Sequence, residues 1–156
     1  MSDDTPRSPH RIAGYLGMLS LFGGALASAA AVGRSRGQHL PDDYGVQDLV
    51  LGALATHKFS RLVAKDGVTT PVRAPFTEFE ENAGSAEVNE SPKEGHLQHV
   101  PGEVLTCPFC LAPWVATSYV VCLTLSPRLA RAWAATFAIV GGSDWLQHGY
   151  SRIRAD

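Results

Sequence analysis

Charge is scarce in this chain and almost balanced. Charged residues make up 18% of it, against about 25% in ordinary soluble domains. The 13 Lys and Arg nearly cancel the 15 Asp and Glu, leaving a formal net charge of -2. No basic stripe is available to track a phosphate backbone, so nucleic acid is excluded as a partner. Cysteine is sparse too, with 3 in the chain, too few for the disulfide scaffold of a small secreted domain. At 156 residues a single domain is expected. The missing charges are missing in blocks, and the blocks organise everything else.

Residues 104–127 hold no ionisable group apart from cysteine and tyrosine, and about 20 such residues suffice for a helix to cross a bilayer core. Cys107 and Cys110 stand at the start of this block, bracketing Pro108 and Phe109, with Pro113 close behind. Prolines are tolerated there because the first-turn amides of a helix lack partners anyway, so the thiols belong near a helix N-terminus. Cys122, farther along, reads as a membrane-core residue. Residues 12–33 are uncharged as well, and Gly23, Ala27 and Ala31 recur along them at the spacing that lets a second helix approach closely. A rival for this block is a signal peptide, with Arg7 and Arg11 ahead of it and Ala27-Ser28-Ala29 as a cleavage site. The apolar run, however, continues past that site.

Two further segments carry mixed signals. In residues 44–65 the apolar stretch 49–55 is followed by His57, Lys58, Ser60, Arg61 and Lys65, whose spacing puts them on one helical flank. Charged residues in a spanning helix face the protein interior or a wet cavity, and the alternative is a basic amphipathic helix lying on the surface. Residues 129–150 combine an apolar first half with Asp144, Gln147 and His148 on one face, and Trp133, Trp145 and Tyr150 suit interfacial belts. Residues 66–103 hold more than half of the 15 acidic side chains, and 77–100 have the composition of a disordered loop. His96 and His99 read as incidental surface residues, while 68–79 forms an ordered elbow.

The expected fold is therefore all-α: an integral membrane protein of about four transmembrane helices in an antiparallel bundle with one acidic disordered loop. The helices fall at 12–33, 44–65, 104–126 and 129–150, the polar leader at 1–11 and the loop at 66–103. Alternating helix directions bring the end of the second helix, the start of the third and the end of the fourth to one side. His57, Lys58, Arg61, Cys107, Cys110, Asp144, Gln147 and His148 would then share one polar layer. An unpartnered Asp144 in hydrocarbon is costly, so Arg61 or Lys58 is expected beside it, with Arg61 preferred. Arg7, Arg11, Lys65, Arg73, Lys93, Arg152 and Arg154 flank the helices on one side, and Arg34, Arg36, Arg128 and Arg131 on the other. This bias places the protein in the cell membrane with its termini in the cytoplasm.

Four strings, THKFSR (56–61), VTTPVRAPFTEF (68–79), LTCPFCLAPW (105–114) and GSDWLQ (142–147), in that order, resemble the bacterial membrane family catalogued as domain of unknown function 1360. The resemblance covers about residues 44–150. It implies a small multi-pass membrane protein, related to one linked with sporulation in bacilli, for which no activity is established. Ala112 stands in place of the family's glycine, and the acidic insert 80–102 is longer than the family's.

Three classes of function stay open. The first, adopted because nothing points to turnover, is a structural or assembly role with the bilayer, and an unidentified membrane protein, as partners. The second is a thiol-disulfide oxidoreductase acting through Cys107 and Cys110, since Cys-Pro-Phe-Cys looks like the glutaredoxin active-site string, and membrane bundles resembling vitamin K epoxide reductase also start a helix with CxxC. The third is a metal site formed by Cys107 and Cys110 with His57 and His148, because a lone CxxC supplies only two of the four ligands zinc takes. No cofactor, substrate or oligomeric state is indicated.

Overall fold

The computed structural model describes residues 8–84, 86–95 and 97–155. Among them are six α-helices: α1 (Pro9–Ser35), α2 (Val46–Lys65), α3 (Thr70–Arg73), α4 (His99–Thr106), α5 (Pro108–Leu125) and α6 (Pro127–Ala155). They are joined by a 3-10 turn at Gly67–Thr69 and by two strands, β1 (Thr77–Gly84) and β2 (Glu87–Pro92). The chain is mostly helical, as its composition predicts. The described residues fall into two compact units, one from those of Met1–Val32 with Arg61–Leu111, the other from Gly33–Ser60 with Ala112–Asp156.

The clearest correction concerns residues 66–103, which are not a disordered loop. They contain the 3-10 turn, α3, an antiparallel hairpin and most of α4. Thr77 pairs with Pro92 and Gly84 with Glu87, with irregularities between Phe79 and Glu81 and between Asn82 and Gly84. No apolar alternation announces these strands, because β1 is exposed along almost its whole length. The hairpin is held instead by polar contacts and by α4. Gly102 of α4 lies so close to the hairpin base that a Cβ there would sit 2.6 Å from the Phe76 carbonyl oxygen and 3.0 Å from Pro92 Cβ. The expected elbow is present as the turn, α3 and the start of β1. Of the leader, Met1–Arg7 lies outside the described residues, as does His96, so the His96 and His99 pair is not described.

Helix ends follow local chemistry. Gly37 closes the end of α1 with a φ of 66°, donating to the Arg34 carbonyl at 3.0 Å while the Gln38 amide reaches Gly33 O at 2.9 Å. This is a Schellman cap, for which a left-handed glycine is the usual residue. The third expected helix does not run unbroken from residue 104. Residue 107 precedes a proline and takes φ -110° and ψ 106°, the extended region that a following proline imposes, so α4 stops and α5 begins at Pro108. In the small-residue stripe, a Cβ added at Gly23 would meet nothing within 4 Å, so no second helix packs closely on it.

In the second unit a core of Ala55, Tyr119, Leu123, Ala130 and Ala134 is flanked by Tyr44, Leu51, Trp133 and Phe137. Trp133 packs within this unit: its ring lies 5.3 Å from Phe59 and 5.1 Å from Phe137, centroid to centroid. Trp145 and Tyr150 are exposed. Two ion pairs join α2 to α6. Asp48 meets Arg131 at 2.8 Å near the start of both helices, and Lys58 meets Asp144 at 2.8 Å farther along both. The two helices consequently run parallel, and α5, turned back on α6 through Ser126, runs against them.

Two described helices, α1 and α5, are long and apolar enough to cross a membrane. The helices α2 and α6 do not reach that standard, because Asp48, Lys58 and Arg61 interrupt the first and Arg131 and Asp144 the second.

Candidate functional site

The CxxC pair sits where backbone chemistry predicts a helix start. Pro108 forces residue 107 out of the helix, and this leaves the Cys107 side chain free to act as the cap of α5. Its Sγ accepts the Cys110 amide at 3.2 Å, the role a serine or aspartate oxygen usually fills at an N-cap. The Cys107 and Cys110 side chains thus lie one turn apart at the head of α5, with Glu103 four residues before Cys107 in α4. All three cysteines are free thiols, with Cys107 half-buried and Cys110 and Cys122 exposed. Glu103 is held from two sides, by Tyr15, which donates to it at 2.5 Å, and by Arg11 at 3.2 Å. His99 Nδ1 faces the Lys93 carbonyl at 3.3 Å. With that nitrogen carrying the proton, Nε2 is left to accept from Arg11.

The remaining residues of the expected polar layer divide between the units. Asp144 pairs with Lys58, the second of the two cations the sequence offers it. Gly141 lies beside the same lysine, where a Cβ would come 3.4 Å from Lys58 Cβ. Arg61, the preferred partner, instead makes a two-pronged contact with Glu87, 2.7 Å at each prong. Gln147 bonds along its own helix, to Ser143 Oγ at 3.3 Å, and His57 and His148 are exposed. Among the described residues no three His, Cys, Asp or Glu side chains form a group that could hold a metal ion.

Sequence reasoning missed the most buried polar cluster. Arg73 is 0% and Glu90 2% exposed, with Nε to Oε2 at 2.8 Å. A second guanidinium nitrogen reaches Glu90 Oε1 at 3.0 Å, and the third donates to Val63 O at 2.6 Å, Asp66 O at 3.1 Å and Thr69 Oγ1 at 2.6 Å. Thr77 and Thr70 donate to the same carboxylate at 2.7 and 3.2 Å. Burial pushes the Glu90 carboxyl up, but the hydrogen bonds from Arg73 and Thr77 and the guanidinium charge more than offset it, and the net shift is below the ordinary carboxylate value. The one signal available was that Thr69, Thr70, Arg73 and Thr77 all lie in the string 68–79. Glu90 was hidden in an acidic segment with no marker of its own. The Asp48 and Arg131 pair was missed for the same reason, since each lies in a different segment.

Helical predominance, two apolar helices and a proline-set thiol pair define a class of small helical proteins with membrane-compatible segments. The chain belongs to the family described as protein of unknown function (DUF1360), whose model matches residues 51–150. It is 29% identical over 110 residues to the sporulation protein YjcA of Bacillus subtilis (strain 168), covering 64% of this chain and 93% of that protein. No solved structure matches it.

Proposed function

We propose that the protein is a small multi-pass membrane protein with a structural or assembly role, its polar side chains acting mainly to lock the helices together. The observation that carries this reading is the surface of α1 and α5. Both are apolar and span-length, yet only 6% and 22% of their most apolar windows are buried inside the protein. A helix apolar on all sides and left uncovered by its own chain needs an apolar surrounding, which a bilayer supplies. In this reading α2 and α6 span as well, carrying Lys58 and Asp48 matched by Asp144 and Arg131, because paired charges are far less costly in such a setting than single ones. Within each unit the charges nearest the helix contacts are paired, Arg73 with Glu90 in the first and Lys58 with Asp144 and Arg131 with Asp48 in the second, which favours a lock over a substrate site. The relative's name supports the same side, since it refers to sporulation and not to a reaction.

Single cysteines at Gly37, Ala83, Arg128 and Arg154, in a background without the native three, test the topology by labelling with a membrane-impermeant maleimide. Positions 37 and 128 should label from one side and 83 and 154 from the other. Labelling of 37 and 83 from the same side removes α2 from the membrane and ends the four-helix reading. The role is tested by the apolar pair Lys58→Met with Asp144→Leu: a lock keeps its in vivo function, whereas loss of function in a stable protein marks a working site.

A further inference from the structure

We propose that Cys107 and Cys110 are a redox-active dithiol, passing between two thiols and one intramolecular disulfide by exchange with a disulfide-bonded partner. The argument rests on local geometry and stands whether or not α5 spans a membrane. Extended backbone at residue 107, imposed by Pro108, turns the Cys107 side chain back over the first turn of α5, where its sulfur meets the Cys110 amide at 3.2 Å. The Cys110 side chain stands one turn on, on the same face. The two sulfurs are thus neighbours before any bond forms. Exposure divides the labour between them, because Cys110 is exposed and Cys107 half-buried. Cys110 can meet a second molecule, and Cys107 is placed to resolve what forms. Cys122 has no second sulfur beside it and serves as an internal control.

The step balances as thiol-disulfide exchange. The Cys110 thiolate attacks one sulfur of the partner disulfide, forming a mixed disulfide and expelling the partner's other sulfur as a thiolate. The Cys107 thiolate then attacks Cys110 Sγ, forming the intramolecular bond and expelling the second partner sulfur. The partner disulfide takes up two electrons, and the two protons lost by Cys107 and Cys110 pass through solvent to the two expelled thiolates. The reverse sequence restores the dithiol with any reducing dithiol.

The test uses the full chain in detergent micelles, equilibrated with graded ratios of oxidised to reduced glutathione, then alkylated and read by peptide mass. Cys107 and Cys110 should leave the alkylatable pool together in one step, without a lasting glutathione adduct, while Cys122 still alkylates. Cys107→Ser keeps a capping oxygen at the helix start, so it should fold and accumulate glutathione on Cys110. In Cys110→Ser, Cys107 should exchange at least about tenfold more slowly than Cys110 does in the wild type, as access limits attack. Separate titration of the two thiols overturns the proposal. So does a glutathione adduct that persists on wild-type Cys110, or a pair that stays reduced at ratios that modify Cys122.

Discussion

Replacing Glu90 with glutamine should loosen the hairpin more than any other single change in the first unit. The Arg73 guanidinium would keep its bonds to Val63, Asp66 and Thr69 but lose the carboxylate it is paired with, in a site where it is 0% exposed. Stranding one member of a buried ion pair costs about 3–5 kcal/mol. Each 1.4 kcal/mol is a factor of about ten in an equilibrium constant, so opening of the hairpin should become roughly two to three and a half powers of ten more frequent. Amide hydrogen exchange in β1 and β2 reads that opening directly and needs no reversible global unfolding. The double variant Arg73→Met with Glu90→Leu should recover much of the loss, because an apolar pair leaves no orphan charge. Exchange in E90Q within about tenfold of the wild type would refute the reasoning, since the pair would then not be what holds the strands. The pH dependence has a definite sign. The folded Glu90 carboxyl titrates below its ordinary value, so the unfolded chain takes up the proton first. The pair's contribution is complete above the ordinary carboxylate range and is lost as pH falls through the folded value. Hairpin protection, corrected for intrinsic exchange, should fall at that acid end in the wild type and be flat in E90Q.

Asp144→Asn should cost about 1–2 kcal/mol, between the values for exposed and buried pairs, since Lys58 is 12% and Asp144 36% exposed. Arg61→Gln should cost less than about 1 kcal/mol, because Arg61 is 48% exposed. Their effects on thermal stability should add, as Asp144 pairs with Lys58 and Arg61 with Glu87; a coupling above about 0.5 kcal/mol would mean that the two side chains interact. Gly102→Ala should destabilise by about 1–3 kcal/mol through overpacking, seen as faster exchange in β2, because the new methyl meets the Phe76 carbonyl at 2.6 Å. Gly52→Ala should lower the thermal midpoint by a comparable energy of about 1–3 kcal/mol, since its methyl would lie 2.8 Å from Tyr119 Cδ1 and that ring is 6% exposed; an unchanged midpoint would mean that the core yields there without cost.

How much of this was legible depended on which force shaped each element. The apolar blocks gave α1 and α5 because hydropathy and helix length are properties of a contiguous stretch. Pro108 and Pro113 put the thiols near a helix start because a first turn tolerates missing amides, while the break at residue 107 emerged only in the structure. The hairpin was illegible because β1, TEFEENAG, reads as solvated chain and is in fact exposed; what orders it is a contact between residues 73 and 90 that no local pattern encodes. The partner of Asp144 was half legible. Helical spacing put Lys58 and Arg61 on one flank, but it could not say that Glu87, in a segment read as disordered, would take Arg61.

The strings that carry the family resemblance gain a physical meaning from these contacts. The first, 56–61, and the last, 142–147, meet through Lys58 and Asp144. Arg131 and Asp48 make a second contact between the same two helices, one outside every string. Ten residues of helix separate Asp48 from Lys58, about 15 Å of rise, and thirteen separate Arg131 from Asp144, about 20 Å. Two pairs so far apart fix both the direction and the register of α2 against α6, which a single pair could not do. A slide by one turn, about 5.4 Å, would break both at once and draw all four charges away from their partners. Four of the charges that keep α2 and α6 below the apolar standard of α1 and α5, Asp48, Lys58, Arg131 and Asp144, are thus the ones that determine how those two helices align.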